Sequence, residues 1–550
     1  MVSSSVSAAR TFVIVTSTGD GARRAALAAL APDGPARFAH AGEPIEGSED
    51  GLIVVDGFPD ATPDDVRRID DRARRGTTVL VLCGSGAPGP WGALVGADLP
   101  ATLRRAEYML ELASHPLTAR LERTAGVVDR VRPLGQPGGD EIASVSVGFT
   151  DHPVVVRRSL GHGQLVLSGV GTDTDALAAP SVRRLLGRAV GRPADATTLG
   201  VAVVGFGPYG GMGQRHGVAC RAVDGLDFVA AVDTSDERRK AAEREFPGIA
   251  VYPTVDELLT DDAVDVVVVA TPPASHAVLA ARLLDEGRHV VVEKPMCLTA
   301  AEADGLIRRA RDAGRVLTVH QNRRWDPDYL ALRRAVDTGL LGEVFNVETF
   351  VGGFDHPCRA WHSHVPVSGG AVYDWGSHHV DWILQLLGDR PSRVTTFGHK
   401  RVWHDVTNLD QLRLHLAWDD GREAEFFQSD VAAVRRPKFF VQGTEGTLVG
   451  HYRPVATERV DPVGGYVREE HHHAEAPADI VLARYEPGYG ITETALPPGR
   501  APEHAFHRNL ADHLLLGEPL AVSPESVRDV VAILEASQRS SDAGGVEIRL

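Results

Sequence analysis

The chain has 550 residues, more than the roughly 250–300 at which a single hydrophobic core stops growing, so two or three folding units are expected. Its composition, 43% hydrophobic and 24% charged, is that of ordinary globular domains rather than of a fibrous or disordered chain. A net charge of −17 argues against a nucleic-acid binder, which needs a basic footprint, and against an anionic membrane surface as partner.

The first predicted elements are the short apolar runs TFVIVTS (11–17), GLIVVDG (51–57) and TTVLVLCGSG (77–86), with PDDVRRIDDRARRG (63–76) reading as a helix. Buried strands alternating with helices predict a parallel α/β sheet. HPVVVRRSL (152–160) and GQLVLSGVG (163–171) read as an antiparallel return, SVRRLLGRAV (181–190) as a helix, and GRPADATTLG (191–200) as a boundary. Residues 1–195 therefore form one expected α/β domain.

The alternation restarts at 199. Strands VAVVGFG (201–207), LDFVAAVD (226–233), VDVVVVAT (264–271), HVVVEKP (289–295) and RVLTVHQNRR (315–324) alternate with helices at 237–246, 276–287 and 300–314. This predicts a doubly wound Rossmann domain over 199–325. Beyond 340 the pattern becomes long alternating strands (343–354, 392–402, 410–418, 423–431, 438–450), interrupted by one helix from about Tyr373 to Leu387. A largely antiparallel, open sheet in an α+β domain over 326–550 is expected. The Pro-, Gly- and His-rich stretch 453–503 reads as an irregular excursion. Helices at 504–517 and 524–541 are expected to pack back on the Rossmann domain.

Cys83, Cys220, Cys297 and Cys358 lie far apart with no CxxC spacing, which points to a reducing compartment rather than a disulfide scaffold or zinc ribbon. No apolar stretch approaches the ~18 residues of a membrane span, and Phe12–Val15 is too short for a signal-peptide core. A cytoplasmic protein is expected. The run His471-His472-His473 lies in a polar stretch and reads as solvated; no metal site is predicted.

The turn after the strand at 201 reads Gly205-Phe206-Gly207-Pro208-Tyr209-Gly210-Gly211-Met212-Gly213. Glycines between a strand and a helix let backbone N–H groups approach a pyrophosphate. Asp233, ending the next strand, can accept from the ribose hydroxyls of NAD, whereas nearby Arg238 and Arg239 could receive the extra phosphate of NADP. NAD is the expected cofactor, with NADP possible. Lysine stands at only four positions, Lys240, Lys294, Lys400 and Lys438. Lys294 closes a parallel strand near the switch point, where ligands bind and where an amine can hold a substrate hydroxyl.

These features, with ATPP…H (270–276), EKP (293–295), HQNRRWDP (320–327), GGAVYDWGSHHVD (369–381) and KFFVQGTEGTL (438–448), resemble the Gfo/Idh/MocA oxidoreductases over 199–550. The resemblance implies NAD(P)-dependent hydride transfer at a sugar, glycoside or cyclitol carbinol. It adds Thr271, Pro272, His276 and Glu293 to the cofactor candidates. It implies catalytic roles for Lys294, Asp374 and His378, with the family's following aspartate at Asp381. His378 would serve as general base, Lys294 would hold the same oxygen, and Asp374 would orient the imidazole or bind a neighbouring hydroxyl. The family turn is interrupted here, so either Gly210 or Gly213 is the third glycine. Arg323, Arg324, Trp325, Trp361, His362 and His379 are further substrate-pocket candidates.

The N-terminal domain is similar to the ThuA-like branch of the class I amidotransferase-like, flavodoxin-like folds. The similarity rests on residues 79–99, 115–121 and 161–171. Cys83 follows a strand where amidotransferases place a nucleophile, but the His-x-Glu near the domain end is missing, with Thr172-Asp173-Thr174 there instead. Cys83 is therefore expected to be a buried thiol, and the domain to cap, oligomerise or bind a sugar. Two alternatives stay open: an NAD-assisted lyase or glycosidase working through a transient keto-sugar, and a non-catalytic NAD or sugar sensor. A homodimer or homotetramer is expected.

Overall fold

The computed structural model describes residues 12–30, 36–45, 51–84, 86–96, 99–135, 138–191, 198–208, 211–461, 465–471 and 476–550. The chain divides into two compact units. The first is Met1–Thr198 with the short segments Arg221–Gly225 and Ala511–Glu518; the second comprises Leu199–Cys220, Leu226–Leu510 and Pro519–Leu550.

The first unit is built on β1 (Phe12–Val15), β2 (Arg37–Ala39), β3 (Leu52–Asp56), β4 (Thr78–Leu82), β5 (Ala106–Leu112), β6 (Thr124–Asp129), β7 (Asp140–Val147), β8 (Thr150–Leu160) and β9 (Gly163–Ser168). They form one sheet in the order β2-β1-β3-β4-β9-β8-β7-β5-β6. The segment β2-β1-β3-β4-β9 is parallel, and the continuous burial of FVIV in β1 and of the apolar runs in β3, β4 and β9 is what a sheet covered on both faces requires. The helix Pro63–Arg75 begins at a Thr62/Asp65 capping box with Pro at its start and Arg72, Arg74 and Arg75 in its last turn, and it buries Val66, Ile69 and Ala73 on one face. The return through β8 is antiparallel, whereas β9 rejoins the parallel set beside β4. Sequence reading missed β5, β6 and β7, of which β6, at the sheet edge, alternates in burial along its length.

In the second unit β10 (Leu199–Val204), β11 (Leu226–Val232), β12 (Ala250–Tyr252), β13 (Val266–Val269), β14 (His289–Val292) and β15 (Leu317–Val319) form an all-parallel sheet in the order β12-β11-β10-β13-β14-β15. The order reverses between β10 and β13, opening the switch-point crevice beyond their C-terminal ends.

The rest of the unit carries β16 (Val344–Gly352), β17 (Arg393–His399), β18 (Gln411–Ala417), β19 (Glu423–Ser429), β20 (Phe439–Gly443), β21 (Thr447–Tyr452), β22 (Val455–Asp461), β23 (Gly465–His471), β24 (Ala478–Glu486), β25 (Gly490–Leu496) and β26 (Ile548–Arg549). Nine of them make a sheet in the order β25-β24-β21-β20-β16-β19-β18-β17-β26, antiparallel except for the central β16–β19 pair. β22 and β23 pair separately. Two expectations change here. The run 438–450 is a hairpin, closed by Gly443 N–H donating to Gly446 O, rather than one strand. The stretch 453–503 holds four strands rather than an irregular loop. His472 and His473 lie outside the described residues.

β18 alternates cleanly, burying Leu412, Leu414 and Leu416 and turning Arg413 and His415 outward. Its inner face meets the helix Gly376–Leu387 in a core that includes Trp382, Phe426 and Phe439. The long helix Pro524–Asp542 lies between this sheet and the Rossmann layer. Thr396 and Ser537 hydroxyls bond at 2.8 Å on one side, and on the other Arg528 Nε donates to Asp304 at 2.9 Å and Ala300 N–H to Glu535 at 2.9 Å.

Candidate functional site

The turn after β10 needs glycine for two separate reasons. Gly205 and Gly207 have φ of +89° and +72°, the left-handed region that side chains disfavour. A Cβ on Gly205 would also stand 2.9 Å from the Ala270 carbonyl oxygen. Gly213, in the first turn of the helix Met212–Ala222, lies so close to the turn that a Cβ would fall 2.5 Å from Phe206 Cα. Gly213 thus holds the helix-packing position of the third glycine; Gly210 lies outside the described residues. The Phe206 side chain is 1% exposed and packs edge-on to Phe246, leaving only its main chain at the turn.

Asp233 reaches back from the end of β11. Its Oδ2 accepts from Gly207 N–H at 3.0 Å and its Oδ1 from Ser235 N–H at 2.9 Å, so it fastens the glycine turn to the residue that precedes the next helix. Each oxygen retains a lone pair for a ribose hydroxyl. The Arg238 guanidinium lies 3.7 Å from where a Gly207 Cβ would stand, placing a cation at the same edge. The glycine cradle, the carboxylate and this arginine fit the adenosine and pyrophosphate of a dinucleotide.

At the switch point His276 is fully buried, with Nδ1 2.8 Å from Pro295 O and Nε2 2.6 Å from Thr271 O, tying the turn after β13 to the turn after β14. Burial lowers its pKa, against the pull of the two carbonyls. Thr271 and Ser275 hydroxyls bond at 2.7 Å, and Pro272 O accepts from the Ser275 hydroxyl at 2.8 Å.

Glu293 is the centre of a network that sequence reading did not find. Its Oε1 accepts from His216 Nε2 at 2.9 Å and His320 Nδ1 at 2.8 Å, and His216 Nδ1 meets His507 Nε2 at 2.9 Å. Burial would raise the Glu293 pKa, but the two histidines outweigh it and hold the carboxyl well below the usual range. Burial lowers His216 and His507. A neutral His216 that donates to the carboxylate must then accept from His507, which fixes the tautomers along the chain. The ligating atoms of His216, His320 and His507 lie within 4.8 Å of one another.

Lys294 emerges from β14 beside this carboxylate. Its Nζ sits 2.6 Å from Asp374 Oδ1, and the two side chains are 23% and 33% exposed, facing a cleft of about 80 Å³ also lined by Met212, Thr271, Trp361 and His362. Burial would raise Asp374, but the Lys294 ammonium, with smaller help from His362 and Arg323, keeps its pKa low. His378 follows one turn later but is 4% exposed and does not line the cleft. Burial first, then the Lys294 and Arg323 charges, push its pKa well below the ordinary histidine value.

The partner of His378 is Gln321, a residue sequence reading passed over. Gln321 Nε2 donates to Ser377 O at 3.0 Å, which turns its Oε1 toward His378 Nδ1, 3.0 Å away. An amide oxygen can only accept, so Nδ1 carries the proton and Nε2 keeps a basic lone pair.

The other candidates separate by environment. Arg323 stacks over the Trp375 ring at 4.9 Å and Trp361 stacks on His362 at 3.7 Å; the latter pair lines the cleft. Trp325 meets Phe506 edge-on at 6.3 Å. Arg324 is committed elsewhere: its fork closes on Asp381 at 2.6 and 2.8 Å and its third nitrogen donates to Ala521 O, a structural clamp rather than a pocket group. His379 is 0% exposed, packed against Phe426 and Trp382, and neither ring nitrogen has a partner among the described residues. It is a core residue. Beyond β19, Asp430 has its pKa raised to about 7 by burial and by the charges of Asp410 and Asp374.

A Rossmann sheet with this glycine cradle, with Asp374 beside Lys294 and His378 on the helix that follows, is the arrangement of an NAD(P)-dependent oxidoreductase. Residues 199–321 match the oxidoreductase family with an NAD-binding Rossmann fold, and residues 329–449 match the GFO/IDH/MocA C-terminal domain. The chain is 26% identical over 347 residues to the NADP-dependent scyllo-inositol 2-dehydrogenase of Bacillus subtilis, covering 62% of this chain and 94% of that protein. It is 30% identical over 326 residues to an uncharacterized oxidoreductase of Schizosaccharomyces pombe, covering 56% of this chain and 87% of the relative. Among solved structures, an NAD-binding protein from Listeria innocua superposes with a TM-score of 0.55 at 26% identity, over 64% of this chain and 97% of that one. The chain belongs to the Gfo/Idh/MocA oxidoreductase family through residues 199–449.

Proposed function

We propose that the protein oxidises, or forms in reverse, a secondary hydroxyl of a cyclitol, sugar or glycoside. The observation that carries this reading is the Lys294–Asp374 pair at 2.6 Å on the wall of the switch-point cleft. NAD(P), when bound at the glycine cradle, supplies the acceptor or donor of hydride. The chain's own residues handle the oxygen and its proton. Lys294 holds the reacting oxygen, and Asp374 fixes the ammonium in place. We assign the hydroxyl proton to Nε2 of His378, which lies behind the cleft wall one helical turn from Asp374 with its Nδ1–H engaged by Gln321. The similarity to a scyllo-inositol dehydrogenase supports a polyol substrate.

The cleft of about 80 Å³ is smaller than the roughly 300–1,000 Å³ of ordinary ligand pockets, with Trp361 and His362 on its wall. Asp233 favours NAD, and Arg238 leaves room for NADP. The parallel order β2-β1-β3-β4-β9 supports an amidotransferase-like, flavodoxin-like N-terminal domain of the ThuA kind. Phe397, Tyr485 and Ile491, exposed on strands of the nine-stranded C-terminal sheet, support a dimer or tetramer formed on that sheet. The test is accumulation of reduced nicotinamide with a panel of cyclitols and sugars. Stoichiometric NADH or NADPH supports the reading, whereas product without reduced cofactor points to transient oxidation within a lyase or hydrolase cycle.

A further inference from the structure

The first unit has a cleft of its own, and it is the larger one. About 470 Å³ opens at the C-terminal ends of β1, β3, β4 and β9. The strand order reverses between β1 and β3, so this is the switch point of a parallel sheet, where open α/β folds bind ligands. The hydrogen bond from the Thr16 hydroxyl to Asp56 Oδ2, 3.0 Å, spans that reversal.

The floor is rigid. Arg23 and Asp56 have side chains 9% and 10% exposed; Arg23 donates to Asp56 Oδ1 from Nε at 3.1 Å and Nη2 at 2.6 Å, and from Nη1 to Gly171 O at 2.9 Å. The guanidinium is therefore spent within the wall and offers no free fork to a phosphate or carboxylate ligand. The helix Gly21–Ala28 begins at the rim, but Asp20 already caps it, with Oδ1 accepting from Ala22 N–H at 2.9 Å. A second guanidinium, Arg132, lies 5.6 Å over the Phe58 ring, but it too is held, donating to the Gly84 and Gly86 carbonyls, and Asp20 adds a carboxylate at the rim that disfavours an anionic ligand. What it presents instead is carboxylate lone pairs, the hydroxyls of Thr18 and Thr174, and the apolar Phe58 ring. Acceptors, hydroxyls and one ring suit a ligand rich in hydroxyls with C–H faces.

Cys83 is not part of this surface. It is 0% exposed within the apolar core, and burial pushes its thiol up to about 12. A nucleophile needs access and a lowered pKa, so Cys83 supplies none to this cleft.

We infer that this N-terminal switch-point cleft is a second, non-catalytic binding site for a neutral polyhydroxylated ligand of one or two sugar or cyclitol rings. The inference is independent of the dehydrogenase reading, because no residue is shared.

The experiment uses the full-length protein carrying Lys294→Met, so that turnover does not consume ligand. Saturation-transfer NMR and calorimetry are run with D-glucose, myo-inositol and sucrose as neutral probes and with glucose 6-phosphate and Mg²⁺ as charged ones. At least one neutral probe is expected to bind. Gly86→Phe places a ring in the cleft at a backbone position where an added Cβ meets nothing within 4 Å. It is expected to weaken that binding at least about tenfold, while Gly86→Phe alone leaves dehydrogenase turnover unchanged. The near-isosteric Thr174→Val, expected to weaken binding severalfold, serves if the larger substitution fails to fold. Neutral-probe binding that is absent, or unaltered in both variants, overturns the inference; so does tighter binding of glucose 6-phosphate or Mg²⁺ than of every neutral probe.

Discussion

Two clefts at the C-terminal edges of two parallel sheets occupy equivalent topological positions and carry opposite chemistry. In the Rossmann sheet the group just beyond the end of β14 is Lys294, partly exposed, with its ammonium shared between Asp374 and the open cleft. In the N-terminal sheet the ionic pair is Arg23–Asp56, nearly buried and saturated, and Cys83 after β4 is sealed in the core. The fold supplies the location in both cases. Whether a site can do chemistry depends on leaving one group ionisable, accessible and incompletely paired.

The comparison is broken most sharply at Lys294. Lys294→Met is expected to lower kcat about 10²–10⁴-fold with dinucleotide binding retained, read by steady-state kinetics beside cofactor titration. A variant that keeps full turnover would remove Lys294 from the chemistry. The matching change in the other cleft, Arg23→Met, is expected to act on stability, costing about 3–5 kcal/mol by chemical denaturation because Asp56 is left buried and unpaired. Adding Asp56→Leu should restore most of the loss.

Gln321→Leu removes the acceptor that fixes the His378 tautomer. A fall in kcat of about 10–100-fold is expected, with a displaced pH–rate profile and an unaltered KM for the cofactor. A smaller effect separates two neighbouring aspartates. Folding raises Asp430 to about 7, so its contribution to stability is full below pH 3.8 and is lost as pH climbs to about 7. Asp410 has the opposite sign. Burial would raise it, but Lys400 and the N–H groups of Val402 and Arg401 hold it at about 2, so its contribution is present above pH 3.8 and is lost as pH falls toward 2. Denaturation midpoints of Asp430→Asn should lose the decline between pH 4 and 7 and keep the acid-side one. The smallest effect is expected at Cys83. Cys83→Ala should cost about 1 kcal/mol and leave turnover unaltered, and the native thiol should resist alkylation.

Lysine scarcity was a useful guide, yet its four instances have four fates. Lys240 pairs with Asp236 on an exposed helix, Lys400 with Asp410, and Lys438 is 1% exposed against Asp328 at 2.6 Å beneath Trp382. Only Lys294 faces the cleft, and position at a strand end, more than rarity, marked it out.

Local sequence determined what depends on neighbours along the chain. The glycine turn, Asp233 at a strand end and the Lys294 position are readable because strand, turn and helix signals sit within a few residues of one another. Side-chain type alone also misled. Arg324 and His379 have sugar-binding chemistry, but the fold commits one to Asp381 and encloses the other among aromatic rings. The tertiary structure decided what depends on distance along the chain: Gln321 meets His378 across 57 residues and His216 meets His507 across 291. No spacing rule reports such pairs, because their geometry arises only when the last helices pack and the sheets set their registers. Sequence fixes which groups are offered; packing fixes which are buried, paired or left free to react.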